Sequence, residues 1–222
     1  MPLREKATHQ PMNEKEAIKS AKLLVDMFEK NHIEYWFDYG SLLGIIRNKA
    51  FIPWDTDIET YIRYRDSDVP NILINELKDK GFTLEMCPFT RGYSKGFSIE
   101  EGNGYSSMSV GFFKDTYKAR FFGWICYHLP TFVRIWIIHY MQKHYNQSKK
   151  ESIRPKNQKD RDKSRVSSWV RAAFPVFFCG KLKKVEFYDM EVSVPAKAEE
   201  LLLMRYGEDW KIPKKVFRSY TT

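Results

Sequence analysis

Between Asn13 and Asn31 apolar residues fall at Ala17, Ile18, Ala21, Leu24, Val25 and Phe28, with Lys and Glu between them. This three-to-four spacing predicts an amphipathic helix that buries one stripe. Tyr35–Tyr39 is aromatic and apolar and suits a short strand. Gly40-Ser41 then turns sharply into a predicted short helix, Leu42–Arg47, with Ser41 as its N-cap. Phe51–Ile62 is rich in β-branched and aromatic residues and predicts a longer strand. Ser67–Lys80 predicts a helix, with Pro70 in its first turn and Gly81 just past its end. Strands are predicted over Phe82–Cys87, Tyr93–Glu101 and Tyr105–Phe113, the last two joined by a hairpin turn at Gly102-Asn103-Gly104. Leu182–Val194 predicts one or two strands, and Ala196–Tyr206 a helix that stops at Gly207. The sum is an α/β (α+β) chain with a mixed, mainly antiparallel sheet and flanking helices.

One stretch breaks the pattern. Arg120–Tyr145 is dense in aromatic and β-branched residues, which raises the question of a membrane span. Pro130 splits it, and His128, Arg134 and His139 interrupt it, so neither half reaches the roughly 20 clean apolar residues that a spanning helix needs. Lys143–Arg165 then carries nine Lys/Arg against three acids. Two readings fit. One is a helix lying in an anionic membrane interface. The other is a buried hairpin followed by a solvated loop. Residues 116–170 are expected to be an insertion, aromatic and then basic, in a single domain spanning 1–222.

Charge and cysteines narrow the picture. The formal net charge is +9, which favours anionic partners without choosing among nucleotide phosphates, membrane surface and nucleic acid. Nucleic acid is not expected, because no face interleaves base-stacking aromatics with Lys/Arg. Cys87, Cys126 and Cys179 lie far apart and form neither a zinc spacing nor an even-numbered disulfide framework, which suits buried thiols in a reducing compartment. The N-terminus is polar and lacks an apolar signal core. The expected location is cytoplasmic, with peripheral attachment to the inner membrane face left open.

The candidate chemistry lies between Gly40 and Ile62. Asp55, Asp57 and Glu59 alternate, so on a continuous strand all three carboxylates share one face. Such a row is unfavourable unless a cation sits against it. Gly40 lets the backbone approach a phosphate, and the exposed N–H groups at a helix N-terminus favour an anion. Arg47 is placed either to bind phosphate in bidentate fashion or to neutralise the acids. Carboxylate row and anion cradle together suit Mg²⁺ (or Mn²⁺) with a nucleoside phosphate. The histidines form no HExxH-type spacing, and no G-x-S-x-G, Walker A or Rossmann fingerprint is present.

The string GSLLGIIRNKAFIPWDTDIE resembles the LicD/fukutin family of phosphotransferases, whose run is approximately G-[ST]-L-L-G-x-x-R…I-P-W-D-x-D-x-D. VEFYDMEVSVPAKAEELLLMRYGEDWKIPKK is similar to that family's closing strand, helix and Y-G-x-x-[WY] segment. The resemblance implies a nucleotidyltransferase-type fold. It implies metal-dependent transfer of a choline-, ribitol- or glycerol-phosphate unit from a CDP-linked donor to a cell-surface or lipid-linked glycan acceptor. It places the metal and catalytic carboxylates at Asp55, Asp57 and Glu59, and the donor phosphates at Gly40, Ser41 and Arg47. The sequence departs from the pattern at a third acid on a neighbouring strand, where Gly111 stands; Asp115, Glu100, Glu101 or Glu59 would have to fill the gap. Two alternatives therefore stay open: a nucleotidyltransferase acting on RNA or protein, and a catalytically inactive scaffold of the same fold.

Overall fold

The computed structural model describes residues 11–65, 68–87, 94–99, 104–114, 117–150 and 177–214. The predicted turn residues Gly102 and Asn103, the substitute acids Glu100, Glu101 and Asp115, and the basic run beyond 150 lie outside them.

Helix α1 (Glu14–Lys30) begins where the Asn13 side chain accepts from the Lys15 and Glu16 N–H groups at 3.0 and 3.4 Å. Such a cap satisfies donors that the first helical turn cannot pair. Its apolar stripe, Ala17, Ala21, Leu24, Val25 and Phe28, is buried as the spacing predicts. β1 (Glu34–Phe37) pairs antiparallel with β2 (Ile58–Tyr64). After β2 come α3 (Val69–Asp79), β3 (Leu84–Cys87), β4 (Ser94–Ile99) and β5 (Met108–Lys114). The sheet order is β1-β2-β5-β4-β3, with β2 and β5 parallel and the other neighbours antiparallel. Central positions Ile58, Thr60, Ile62, Val110 and Phe112 are all buried, which gives the sheet its core face.

Past β5 the chain forms α4 (Tyr117–His128) and α5 (Thr131–Lys150), separated at Pro130 as the sequence suggests. Proline has no N–H to continue the helix ladder and disfavours helix at the residue before it. β6 (Leu182–Phe187) and β7 (Met190–Pro195) then form an antiparallel hairpin, and β7 packs beside β1. Helix α6 (Ala198–Tyr206) closes the described chain against α2 (Tyr39–Leu43), the short helix after β1, and against α5.

Two local expectations need correction. The predicted strand Phe51–Ile62 begins only at Ile58. Pro53 cannot donate to a ladder, and the Asp55 N–H turns back to the Ile52 carbonyl at 2.9 Å. The Asp55 carbonyl is taken by the Met12 N–H at 2.8 Å. Asp55 and Asp57 therefore lie in a turn that leads into the strand, and only Glu59 belongs to the strand itself. The predicted helix Leu42–Arg47 starts earlier, at Tyr39, and Asp38 caps it by accepting from the Tyr39 N–H at 3.0 Å. Ser41 is an interior helical residue. After Leu43 the helix widens into a single π turn, Gly44–Asn48, which ends at Lys49 in the left-handed region (φ 57°). Gly44 permits this because a Cβ there would meet the Ala50 carbonyl oxygen at 2.6 Å.

Candidate active site

The site is built where β1 ends and β2 begins. Asp38 extends the β1–β2 pairing by one residue, its N–H donating to the Glu59 carbonyl at 3.0 Å. Tyr39 then takes a left-handed conformation (φ 45°), which costs a non-glycine residue free energy and persists only where its surroundings hold it. Here Arg205 of α6 holds it: the guanidinium lies 3.6 Å from the Tyr39 ring centroid, and Nη2 donates to Asp38 Oδ2 at 2.6 Å. Both members of this ion pair are buried. Removal from water pushes the Asp38 carboxyl upward and Arg205 pulls it back, burial being the larger effect.

Around this anchor the predicted acids come together. The Gly40 N–H donates to Glu59 Oε2 at 2.7 Å, and the Ser41 hydroxyl accepts from the Glu59 N–H at 3.0 Å. The two residues expected to cradle phosphate are thus already bonded to the start of β2, and Ser41 is buried. Asp55 lies directly over Gly40, where any Cβ would collide with its Oδ2. Its Oδ1 accepts from the Thr56 N–H at 3.1 Å. Loss of water and then the neighbouring Asp57 charge push the Asp55 carboxyl up to about 6. Glu59 is raised well above the usual carboxylate range, first by desolvation, then by Asp57 and Asp55. Mutual repulsion of this kind is what a cation would relieve.

Among the described residues no three carboxylate, imidazole or thiol groups form a ready-made metal cage. The set still fits a hard divalent cation of the Mg²⁺ kind, which takes one or two carboxylates and completes its shell with water and substrate phosphate. Asp55 and Asp57 are adjacent oxygen donors, and the missing Cβ at Gly40 makes the room Asp55 occupies. Glu59, with one oxygen committed to Gly40, braces the turn. Arg47 sits in the π turn with Nε bonded to Asn48 Oδ1 at 2.6 Å and Nη1 to the Trp210 carbonyl at 3.4 Å. Its Nη2 is buried with no hydrogen-bond partner.

Gly111 of β5 pairs with Tyr61 of β2, and a Cβ at Gly111 would collide with the Tyr61 ring, 2.1 Å from its Cε1. That ring, stacked on Trp36 with centroids 5.7 Å apart, fills the space where a third acid would stand. Sequence reasoning missed Asp38, Arg205 and the buried Tyr61 and Tyr206 beside the acids. Burial raises both phenols well above their usual value, reinforced at Tyr61 by Tyr39 and Asp38 and at Tyr206 by Glu59. A signal existed: Asp38 stands in the apolar run YWFDY, and Arg205 in LLLMRY. A lone charge in an apolar run asks for a buried partner.

The structure is a mixed α/β fold with a mainly antiparallel sheet and an acid cluster gathered at the Gly40 turn. The model of the LicD/FKTN/FKRP nucleotidyltransferase domain matches residues 32–197, and the chain belongs to that family. The match takes in the middle of the chain, which the motifs leave unassigned, and stops short of α6. An uncharacterized protein of Rickettsia typhi is 31% identical over 77 residues, 33% of this chain and 25% of its own length. An uncharacterized protein of Rickettsia prowazekii is 30% identical over 83 residues, 36% of this chain and 30% of its own. The chain thus spans less than a third of the length of these curated relatives.

Proposed function

We propose that the protein is a divalent-metal-dependent phosphotransferase that moves a phospho-alcohol unit from a CDP-activated donor to a cell-surface or lipid-linked glycan. The observation that carries this is the convergence of Asp55, Asp57 and Glu59 on the Gly40 turn, within a LicD-type domain. Asp55 and Asp57 would hold Mg²⁺ or Mn²⁺, which when bound neutralises the donor diphosphate and the charge growing on departing CMP. Arg47, whose buried Nη2 has no hydrogen-bond partner, would donate to a phosphate oxygen of the donor. The acceptor hydroxyl oxygen bonds to the phosphorus that carries the alcohol, and the bond from that phosphorus to CMP breaks with its electron pair. The hydroxyl proton passes to a carboxylate oxygen of the cluster. Glu59 and the Asp38–Arg205 pair keep the turn in place by their contacts with Gly40 and Tyr39.

The test is calorimetry with CDP-choline, CDP-ribitol, CDP-glycerol, a UDP-sugar and ATP, each with and without Mg²⁺. A CDP-linked donor should bind far better with the metal than without it, and CMP should gain less. Preference for ATP would move the protein to a nucleotidyltransferase acting on RNA or protein, and preference for a UDP-sugar would contradict the proposal. A second reading, an inactive scaffold, is favoured by the Tyr61 ring over Gly111; binding of none of these ligands by the folded chain would support it.

A further inference from the structure

Six of the eight large apolar side chains that stand exposed among the described residues lie on α4 and α5. On α4 they are Tyr117, Phe121 and Trp124; on α5 they are Phe132, Trp136 and Tyr140. Intervals of three and four residues put each trio on one face of its helix. Their exposures run from 39% for Tyr140 to 85% for Tyr117. The α5 face is not a core surface left bare by loose packing, because α5 is already fixed through its other side. Arg134 and Ile138 follow Phe132 and Trp136 by two residues, about half a turn round the helix, and both are fully buried. Arg134 Nε donates to Glu200 Oε2 of α6 at 2.7 Å, and its guanidinium lies 4.6 Å from the Phe177 ring centroid. Helix α5 is therefore anchored on one side and apolar on the other.

The charge pattern identifies what would cover it. From Tyr117 to Lys150 the sequence has no Asp or Glu and, besides the buried Arg134, five Lys/Arg, and 151–165 adds six more Lys/Arg against three acids. Lys181 and Lys197 place their ammonium groups 5.0 and 5.4 Å from the ring centroid of Tyr127 on α4, Lys197 also reaching Glu200 at 3.6 Å. A basic excess in sequence beside exposed aromatic side chains suits an anionic lipid surface. Tryptophan and tyrosine favour the headgroup boundary of a bilayer, where the ring is buried and its N–H or O–H stays wet. No helix among the described residues is long and apolar enough to cross a membrane.

We infer that the exposed aromatic faces of α4 and α5 dock the protein on an anionic lipid bilayer, with the helices lying in the plane of the interface. The inference does not rest on the donor or acceptor proposed above. The experiment is flotation of the full chain with vesicles of phosphatidylcholine alone or mixed with phosphatidylglycerol, at low and high salt. Wild type should float with the anionic vesicles at low salt and be released by high salt, as screening shortens the reach of its charges. Trp124→Ser/Trp136→Ser leaves the net charge unchanged and should lower partitioning by about tenfold or more, through lost apolar burial. Its circular dichroism and melting temperature should match wild type, since both side chains are exposed. Brominated phosphatidylglycerol should quench tryptophan fluorescence in the unmodified protein, so the inference can be judged even if the double variant folds poorly. Absence of flotation at low salt overturns it, as does equal flotation of wild type and the folded variant. A wild-type dimer that becomes monomeric in the variant, with no flotation of either, also overturns it, since the face then serves a second copy.

Discussion

Removing the Asp55 charge should stabilise the metal-free protein. The carboxyl lies over Gly40 beside Asp57, and desolvation with the Asp57 charge raises it from 3.8 to about 6. Because the folded value lies above the unfolded one, folding takes up a proton as pH falls. The stabilising contribution of the neutral acid is complete below about 3.8 and is lost as pH rises through about 6. An interval of about two pH units is worth about 3 kcal/mol. Asp55 keeps partial contact with water, so the expected effect is about 1–3 kcal/mol after screening. Asp55→Asn keeps the shape and an oxygen for the Thr56 N–H while removing the charge. In a chelator at pH 7.5 the variant should melt about 2–12 °C above wild type, at roughly 2–4 °C per kcal/mol for a chain of this size. At pH 4 the two should nearly coincide. Saturating Mg²⁺ should reverse the order at pH 7.5 by stabilising wild type alone. The assay is differential scanning calorimetry across pH with and without the metal. A variant that melts at or below wild type at pH 7.5 in chelator would refute the reasoning.

Arg205→Met leaves Asp38 buried without its cation and should cost about 3–5 kcal/mol in urea unfolding, with part of it recovered in Asp38→Asn/Arg205→Met. Gly111→Asp should not restore a third acid; it forces the Tyr61 ring aside and should cost about 1–3 kcal/mol by thermal melting, an effect eased by adding Tyr61→Ala. Ser41→Ala removes the acceptor for the Glu59 N–H and should destabilise the fold by about 1–3 kcal/mol, measured by denaturant unfolding. Gly40→Ala should displace Asp55 and abolish Mg²⁺ binding in calorimetry while its circular dichroism shows a folded chain.

Helices α1, α3 and α6 and most of the strands were legible because they rest on local periodicity. Asn13 and its stripe through Phe28 specify α1, and Pro130 alone separates α4 from α5. The family was legible too, since GSLLGIIRNKAFIPWDTDIE is ordered information within one short stretch. Three things were decided only by tertiary structure. Asp55 and Asp57 leave the strand because the Asp55 carbonyl bonds to Met12, a residue far along the chain that no local pattern announces. Ser41 serves the Glu59 backbone and Asp38 caps the helix, because a hydroxyl and a carboxylate choose among backbone groups by distance, which folding sets. The pairing of Asp38 with Arg205 joins residues 167 positions apart. Each charge sits visibly out of place in its apolar run, but which buried charge answers which is settled only when α6 packs against the end of β1.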